Sequence, residues 1–385
     1  MIYLDNAATT WPKPESVYRE MDRFFRLSAA NPGRSGHRMA LAAEQAIERT
    51  RLALARLFNI ADPNRIAFAC NATDALNTAL KGLLRPGDHV VTSSVEHNSV
   101  LRPLKGLEKR GVTVTKVAAS PAGWIDPNAI ARAIGPETRM IVTTHVSNVT
   151  GTIEPVAAIG ALARQRNLLY LVDGAQSAGT LPIDLAALPV DLFAFTGHKG
   201  LFGPPGTGGL CIGERVAMKD FSTLREGGTG TRSEEELQPS ELPQRFEAGT
   251  PNTVGIVGLG AGVEFLVDRG VANVREQETL LMDRLAAGLR KISALTVYGP
   301  EAAQERGAVV SFNVAGWRPA DLGTILDQRF AVACRTGLHC APEAAKTIGA
   351  FPLGTVRLSL SIFNTAEEID LVLGYVKQIA GSPPL

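Results

Sequence analysis

The chain has 385 residues, of which 45% are hydrophobic and 20% are charged. Its 39 basic and 38 acidic residues give a formal net charge of +1, so charge offers no reason to expect a nucleic acid or an anionic membrane as partner. The length exceeds one typical hydrophobic core and predicts two domains, or a large domain with a smaller one.

The N-terminus shows no basic segment followed by an apolar one, and no stretch has the roughly 18 consecutive apolar residues of a membrane span. The cysteines, Cys70, Cys211, Cys334 and Cys340, form no CxxC pair. We therefore expect a soluble, cytoplasmic protein with reduced thiols. Cys334, His339 and Cys340 could supply soft metal ligands, but a structural zinc site needs four, so no metal is expected.

From about residue 40 to 250, helical patterns alternate with short apolar, β-branched runs. Helices are predicted at 44–60, 73–84, 155–166 and 253–267. Strands are predicted at 65–69, 89–93, 112–117, 140–145, 168–173, 191–196 and 208–213. The alternation predicts an α/β domain with a mainly parallel, seven-stranded sheet. The link before 208–213 is too short for a crossover, so this strand is predicted to be antiparallel.

The pattern changes after about residue 255. The remaining predicted elements are a helix at 272–292, strands at 307–314 and 355–360, and a closing helix at 365–380. Thr365 and Glu368 match a capping box at the start of the last helix. These elements predict a smaller α+β domain. We assign 15–255 to the large domain, and 1–14 and 256–385 to the small one.

Polar residues follow nearly every strand of the predicted large domain. The groups are Asn71, Ala72 and Thr73; His97; His145 and Asn148; Asp173 and Gln176; and Thr196, His198 and Lys199. Ligands bind beyond the carboxyl ends of strands in parallel α/β sheets. Five such groups at one sheet edge predict a pocket.

Three features of these groups suit one cofactor. Asp173 would be a costly unpaired carboxylate at the rim of a buried sheet unless a cation, such as a protonated ring nitrogen, lay beside it; capping the next helix is the alternative. Lys199, if desolvated, could form an imine with an aldehyde, although a solvated surface lysine is equally plausible from this residue alone. Ala72 and Thr73 begin a helix whose free N–H groups suit a phosphate. Together they match the requirements of pyridoxal 5'-phosphate.

Seven segments then carry a resemblance to a known family: YLDNAATT, HVSNVTGT, VDGAQS, TGHKG, FEAGTPN, RTGLHCA and VRLSLSIFNT. They resemble the cysteine desulfurases, the class V aminotransferase branch of the fold-type I pyridoxal-phosphate enzymes, and are most similar to the selenocysteine lyase-like branch. The resemblance runs from residue 3 to about 378 in matching order. It implies conversion of L-cysteine to L-alanine, with sulfur passed to an enzyme cysteine as a persulfide.

The resemblance implies cofactor roles residue by residue. Lys199 matches the Schiff-base lysine and Asp173 the partner of the pyridine nitrogen. Gln176 and Asn148 match the groups near the ring hydroxyl, and His97 matches the ring that stacks on the cofactor and helps to move protons. The implied phosphate cradle consists of Ala72, Thr73, Thr196, His198 and, from the neighbouring subunit of a homodimer with shared sites, Thr250.

The resemblance also implies the substrate residues. Arg357 matches the arginine that grips the substrate carboxylate, and Cys340 matches the thiol that takes the sulfur. Neighbouring Arg335 and His339 are expected to lower the pKa of the Cys340 thiol and so favour the thiolate. The alternative for Cys340 is a buried structural cysteine, which is the role expected for Cys334. Further residues implied near the substrate are Asn148, Arg335, Asn31, Arg34 and His37.

Two segments depart from the family pattern. The CNATD segment lacks a hydroxyl donor that is common in the related branch. Lys199 is followed by GLFGPPGTGG, with a glycine where a bulkier residue is common. Selenocysteine lyase, cysteine sulfinate desulfinase and another class V activity remain alternatives, as does an idle sulfur carrier. Cys340 favours desulfuration, since transamination needs no thiol. A sulfur-acceptor protein and a role in iron–sulfur cluster biogenesis are the expected context.

Overall fold

The computed structural model describes residues 1–33, 36–230 and 234–383, which form eleven α-helices and thirteen β-strands. The helices are α1 (Glu15–Leu27), α2 (Arg38–Phe58), α3 (Ala72–Leu83), α4 (Asn98–Glu108), α5 (Pro127–Ala133), α6 (Val156–Gln165), α7 (Thr253–Arg269), α8 (Val271–Arg290), α9 (Pro319–Phe330), α10 (Pro342–Thr347) and α11 (Ala366–Ala380). The strands are β1 (Ile2–Tyr3), β2 (Ile66–Ala69), β3 (His89–Ser93), β4 (Thr113–Val117), β5 (Thr138–Thr144), β6 (Leu169–Asp173), β7 (Leu192–Thr196), β8 (Gly208–Ile212), β9 (Leu295–Tyr298), β10 (Val309–Val314), β11 (Val332–Ala333), β12 (Arg335–Gly337) and β13 (Thr355–Ser359).

A seven-stranded sheet in the order β2-β8-β7-β6-β5-β3-β4 forms the centre of the larger unit. The β3–β4, β3–β5, β5–β6 and β6–β7 pairs are parallel, whereas β8 is antiparallel to both β7 and β2. The predicted mainly parallel sheet and the antiparallel strand at 208–213 are therefore confirmed. Because β8 runs opposite to β7 and β2 runs opposite to β8, β2 runs in the same direction as β7 and ends at the same edge of the sheet.

Helices cover both faces of this sheet and form a hydrophobic core on each face. The side chains of β7 contribute to both cores. Phe193 and Phe195 belong to one apolar cluster, and Leu192 and Ala194 belong to a second. Successive side chains of a strand point to opposite faces, so every residue of β7 is buried. This explains why the strand reads as a continuous apolar run rather than an alternating one.

A four-stranded antiparallel sheet in the order β12-β13-β10-β9 forms the second unit, with α8, α9 and α11 in its core. The chain start joins it, since Ile2 of β1 pairs with Val332 of β11. The predicted capping box of Thr365 and Glu368 is confirmed at α11. Helix α7 packs on α1 and α2 of the larger unit; the domain division at residue 255 stays a prediction.

The predicted elements differ from the observed ones mainly at their ends. Helix α2 begins at Arg38, six residues before the predicted start, because the His37 ring accepts a hydrogen bond from the N–H of Ala40 and caps it. Among the described residues, every helix is too short or too polar to cross a lipid bilayer. The same residues contain no group of three or more His, Cys, Asp or Glu side chains placed to hold a metal ion.

Candidate active site

A cavity of about 270 Å³ lies at the carboxyl ends of the central strands, between the two units. Eleven of the residues predicted from the sequence line it: Ala72, Thr73, His97, Asn148, Asp173, Gln176, Thr196, His198, Lys199, Arg335 and Arg357. Asn31, His37 and Thr250 are exposed and do not line it within this chain. Arg34 lies outside the described residues.

Asp173 and Lys199 enter the cavity from neighbouring strands. Asp173 ends β6 and lies opposite Ala194 of β7, and Lys199 follows the end of β7. Burial raises the pKa of Asp173, an effect partly offset by the N–H of Ala175, which donates to Oδ1 at 3.0 Å, and by Lys199. Burial lowers the pKa of Lys199 to about 8, although Asp173 opposes this shift. The cavity therefore holds, beside a buried acid, an amine that loses its proton near pH 8 rather than near its ordinary value.

The N-terminal segment holds the peptide that carries Lys199. The carbonyl of His198 accepts hydrogen bonds from the N–H of Thr10 at 3.1 Å, from Oγ1 of Thr9 at 3.0 Å and from Nζ of Lys13 at 2.7 Å. Oγ1 of Thr10 also donates to the carbonyl of Lys199 at 2.9 Å. Burial lowers the pKa of Lys13 to about 8. Sequence reasoning missed Lys13, because nothing local links it to a loop 185 residues away.

The residues of the predicted anion cradle lie at the start of α3 and opposite it in the cavity. Asn71 caps the helix by accepting from the N–H of Asp74 at 3.0 Å, and Ala72 and Thr73 line the cavity at this end. Thr196 contributes an Oγ1 that is buried and has no hydrogen-bond partner among the described residues. Ser99, which sequence reasoning missed, also lines the cavity, and its hydroxyl lies 2.6 Å from that of Thr73. Ser99 thus adds a second hydroxyl beside that of Thr73, in a cradle where the CNATD segment lacks one of the expected hydroxyl donors.

His97 lines the cavity while capping α4. Its Nδ1 accepts from the N–H of Ser99 at 3.1 Å, so the neutral ring carries its proton on Nε2. Burial, together with the smaller effect of the positive charges of Lys199, Arg335 and Arg357, lowers the pKa of His97 to about 4. The ring is therefore neutral near pH 7, which suits stacking on an aromatic ring and donation from the Nε2 proton.

Two arginines form a cationic wall. Arg335 of β12 and Arg357 of β13 are partners in the antiparallel register, and both line the cavity. Arg357 is fully buried; its Nη2 lies 2.9 Å from Oδ1 of Asp5, and its Nη1 donates to the carbonyl of Asn148 at 3.1 Å. Burial lowers the pKa of Arg357, and Asp5 opposes this effect. This wall suits an anionic group such as a substrate carboxylate.

Residues of the second unit form hydrogen bonds to three consecutive carbonyls, those of residues 148–150, in the loop that carries Asn148. Arg357 donates to the first, Oγ of Ser311 donates to the second at 2.6 Å, and Nη1 of Arg306 donates to the third at 2.7 Å. Arg306 is fully buried without a carboxylate partner in the described chain. These contacts fix Asn148 relative to the arginine wall.

Cys340 lies in a tethered loop beside this wall. Its Sγ accepts a hydrogen bond from Nη2 of Arg335 at 3.2 Å, and its carbonyl accepts from the N–H of Asn98 at 2.8 Å. His339 and Cys340 have φ values of 51° and 59°, in the left-handed region that residues other than glycine seldom adopt. Cys340 is exposed but does not line the cavity that holds Lys199.

The structure corrects the expectation for His339. Its Nε2 is hydrogen-bonded to Oγ1 of Thr355 at 2.9 Å, and its carbonyl accepts from Nδ2 of Asn148 at 2.7 Å. Burial lowers the pKa of His339 to about 3, so the ring is neutral and brings no positive charge to the thiol. The prediction that His339 favours the thiolate is wrong, because the ring is buried as an anchor for the loop. Burial raises the pKa of Cys334 to about 12, as expected for a structural cysteine.

Comparisons with known proteins agree with this geometry. The aminotransferase class-V family matches residues 2–372. A probable cysteine desulfurase from Methanothermobacter thermautotrophicus is 37% identical over 383 residues, covering 99% of this chain and 95% of the relative. A cysteine desulfurase from Yersinia pestis is 33% identical over 388 residues, covering 98% and 93%.

Solved structures give the same result. The apo cysteine desulfurase from Thermococcus onnurineus has a TM-score of 0.92 and 33% identity, covering 98% of this chain and 94% of that one. The cysteine desulfurase CsdA from Escherichia coli has a TM-score of 0.86 and 29% identity, with the same coverage. The chain therefore belongs to the cysteine desulfurase group of the class-V aminotransferase family.

Proposed function

We propose that this protein is a pyridoxal-phosphate-dependent cysteine desulfurase, which converts L-cysteine to L-alanine and keeps the removed sulfur on Cys340 as a persulfide. One observation carries the proposal. A desolvated amine, Lys199, and a buried carboxylate, Asp173, share a cavity with the arginine wall, and a thiol is hydrogen-bonded to that wall.

The residues of the cavity match the cofactor. Thr196 has a buried hydroxyl without a partner among the described residues, and the start of α3 lies beside it, as a phosphate requires. Asp173 is a buried carboxylate with room for a cationic ring nitrogen, and His97 is a neutral ring suited to stacking. When bound, pyridoxal phosphate supplies an aldehyde for an amine and a sink for electrons from the substrate carbon.

The chain's own residues would then act on cysteine as follows. The guanidinium of Arg357 binds the substrate carboxylate, a task suited to its forked donors. Nζ of Lys199, whose pKa is about 8, takes up and releases protons close to physiological pH, and Nε2 of the neutral His97 ring carries a proton that it can donate. The Cys340 thiolate attacks the substrate sulfur: an S–S bond forms, the Cβ–S bond breaks, and its electron pair stays on the carbon, which takes up a proton to give alanine.

The proposed transfer requires Cys340 to move, since its thiol does not line the cavity that holds Lys199. Two successive residues in the left-handed region cost on the order of 1–2 kcal/mol each, which lowers the barrier to leaving this conformation. Gly337 lies at one end of the loop that would move. The segment that follows the loop is anchored, since Ala341, Ala344, Ile348 and Ala350 are buried in the core, so the movement would be confined to about residues 337–340. Arg335 would accompany the thiolate as its hydrogen-bond donor.

The proposal extends to the assembly and setting. A homodimer with shared sites is supported by Thr250, which lies on an exposed segment away from its own chain's cavity and is free to reach another. A sulfur-acceptor protein, a cytoplasmic location and a role in iron–sulfur cluster biogenesis complete the proposal.

The test is release of alanine and sulfide from L-cysteine by the purified, cofactor-loaded protein, with and without a reductant. We expect alanine in both cases and free sulfide chiefly with reductant, because the persulfide needs an acceptor. Parallel assays with selenocysteine and cysteine sulfinate distinguish a lyase or desulfinase. A colourless protein that binds no pyridoxal phosphate, or one that releases no alanine from cysteine, contradicts the proposal.

A further inference from the structure

A second, more open cavity of about 490 Å³ borders the active-site cavity. Thr73, His97 and Ser99 line both cavities, so the two share a wall. Helices α3 and α4 form the rest of the second cavity. Cys340 lines this cavity and not the first, which places its thiol beside a space open to solvent.

The second cavity is cationic. Lys81 of α3 and Arg102 of α4 line it, whereas no Asp or Glu of the described residues does. Both cations are exposed, and neither has an ion-pair partner in the part of the chain that the structure describes. An anion in this cavity would therefore compete with no internal carboxylate.

The positive charge continues along the outside of α4 and the turn after it. Lys105, Lys109 and Arg110 are exposed, and Glu108 is the only acid between residues 102 and 111. Glu108 pairs with Lys105 at 2.8 Å, which leaves Lys109 and Arg110 to face solvent. This surface contrasts with a chain whose formal net charge is only +1. Its extent beyond the cavity favours a protein partner over a small molecule.

We propose that the second cavity and the basic face of α4 are the docking site of a protein that accepts the sulfur, and that this protein presents its cysteine on an acidic segment. The inference rests on the proposed function and names its partner's chemistry. Sulfur would enter from the first cavity and leave through the second, with Cys340 between them.

The transfer balances without an added oxidant or reductant. The acceptor thiolate attacks the terminal sulfur of the Cys340 persulfide and forms a new S–S bond. The bond between Sγ of Cys340 and that sulfur breaks, and its electron pair remains on Sγ as a thiolate. The guanidinium of Arg335, which donates to Sγ at 3.2 Å, stabilises this leaving group.

The test measures loss of the persulfide from cofactor-loaded protein charged with L-cysteine and freed of excess substrate. The probes are two synthetic peptides with one cysteine each, flanked by glutamates in one and by glutamines in the other. We expect the acidic peptide to remove sulfur about tenfold faster at low ionic strength, with the difference shrinking in salt. The double variant K81E/R102E should lose or reverse this preference. It should still form as much Cys340 persulfide from L-cysteine as the parent protein does.

A matched control reverses two exposed lysines elsewhere, Lys291 and Lys377, which line a separate cavity beside α8 and α11. The K291E/K377E variant should retain the preference for the acidic peptide. Equal rates for both peptides with the parent, or an equal slowing of both in K81E/R102E, overturn the docking site. Failure to charge Cys340 at all contradicts the proposed function instead, so the two failures are distinguishable.

Discussion

Arg335 and Arg357 face each other across the antiparallel strands β12 and β13, yet their guanidinium groups have different partners. Arg357 is held by Asp5 and by the carbonyl of Asn148, whereas Arg335 donates to the thiol of Cys340. The wall is thus divided between Arg357, which we propose binds the substrate carboxylate, and Arg335, which binds the thiol. This division allows the two tasks to be separated by substitution.

Replacing Arg357 with lysine should mainly weaken substrate binding. Lysine keeps the positive charge but loses the forked donors that suit a carboxylate. We expect KM for cysteine to rise about 10- to 100-fold with a smaller change in kcat, which corresponds to about 1.4 to 2.7 kcal/mol of lost binding. Steady-state kinetics of Arg357→Lys beside Arg335→Lys provide the measurement. A larger KM change in Arg335→Lys would assign the carboxylate to the other arginine.

Replacing Cys340 with alanine should stop persulfide formation and leave cofactor binding intact. The thiol does not line the cavity that holds Lys199, so its loss should not disturb the bound cofactor's absorbance. Alanine release from cysteine should fall at least about a thousandfold. The control is Cys70→Ala, which removes another exposed thiol and should desulfurate normally. Desulfuration by Cys340→Ala at the parent rate would rule out this nucleophile.

Uptake of the cofactor by the apo-protein should depend on pH through Lys199. Only the neutral amine attacks an aldehyde, and burial places the pKa of this amine at about 8. The rate of covalent attachment should therefore rise about tenfold per pH unit below this value and level off above it. Borohydride trapping followed by mass spectrometry measures the adduct on Lys199. A rate that still climbs steeply at pH 10 would indicate an ordinary solvated lysine, and Lys199→Ala should give no adduct.

The buried acid Glu278 in α8 should make stability fall as pH rises. Burial raises the pKa of Glu278 to about 8 in the folded protein. In the unfolded chain, a glutamate has its ordinary pKa of about 4.3. The folded state therefore keeps a proton that the unfolded state has lost, and this contribution to stability is full below about pH 4 and is lost as pH rises to about 8. The slope is at most about 1.4 kcal/mol per pH unit.

Glu278→Gln should remove this slope, so the variant gains stability relative to the parent between about pH 5 and 8. Urea unfolding at several pH values measures the difference. Glu276→Gln, two residues earlier and exposed, should follow the parent curve. Parallel curves for Glu278→Gln and the parent would mean that Glu278 is ionised in the folded protein.

Ser311→Ala should loosen the active-site loop without touching the cavity. It removes the donor to the buried carbonyl of Val149, at a cost of about 1–3 kcal/mol of stability. Because Asn148 precedes this carbonyl, we also expect KM for cysteine to rise a few-fold. Ser382→Ala, which removes an exposed hydroxyl bound to the carbonyl of Gln378, should change neither. A stability loss with unchanged KM would limit Ser311 to a structural role.

The sequence alone was sufficient wherever neighbouring residues decide the structure. The apolar run of β7, the start of α3 and the capping box of Thr365 depend on local patterns, and their predictions are confirmed. Asp173, Gln176 and Lys199 were found because they directly follow strands whose ends must meet at one sheet edge.

Only the tertiary structure decided the contacts between distant parts of the chain. Asp5 and Arg357 are 352 residues apart, and Lys13 reaches a carbonyl 185 residues away, so no local pattern could pair them. Burial and its effect on charge were equally hidden: His339 looked like a cation beside the thiol, but packing makes it a neutral anchor. Residue order determines which groups end each strand, whereas desolvation and hydrogen-bond geometry arise only when the two units close around them.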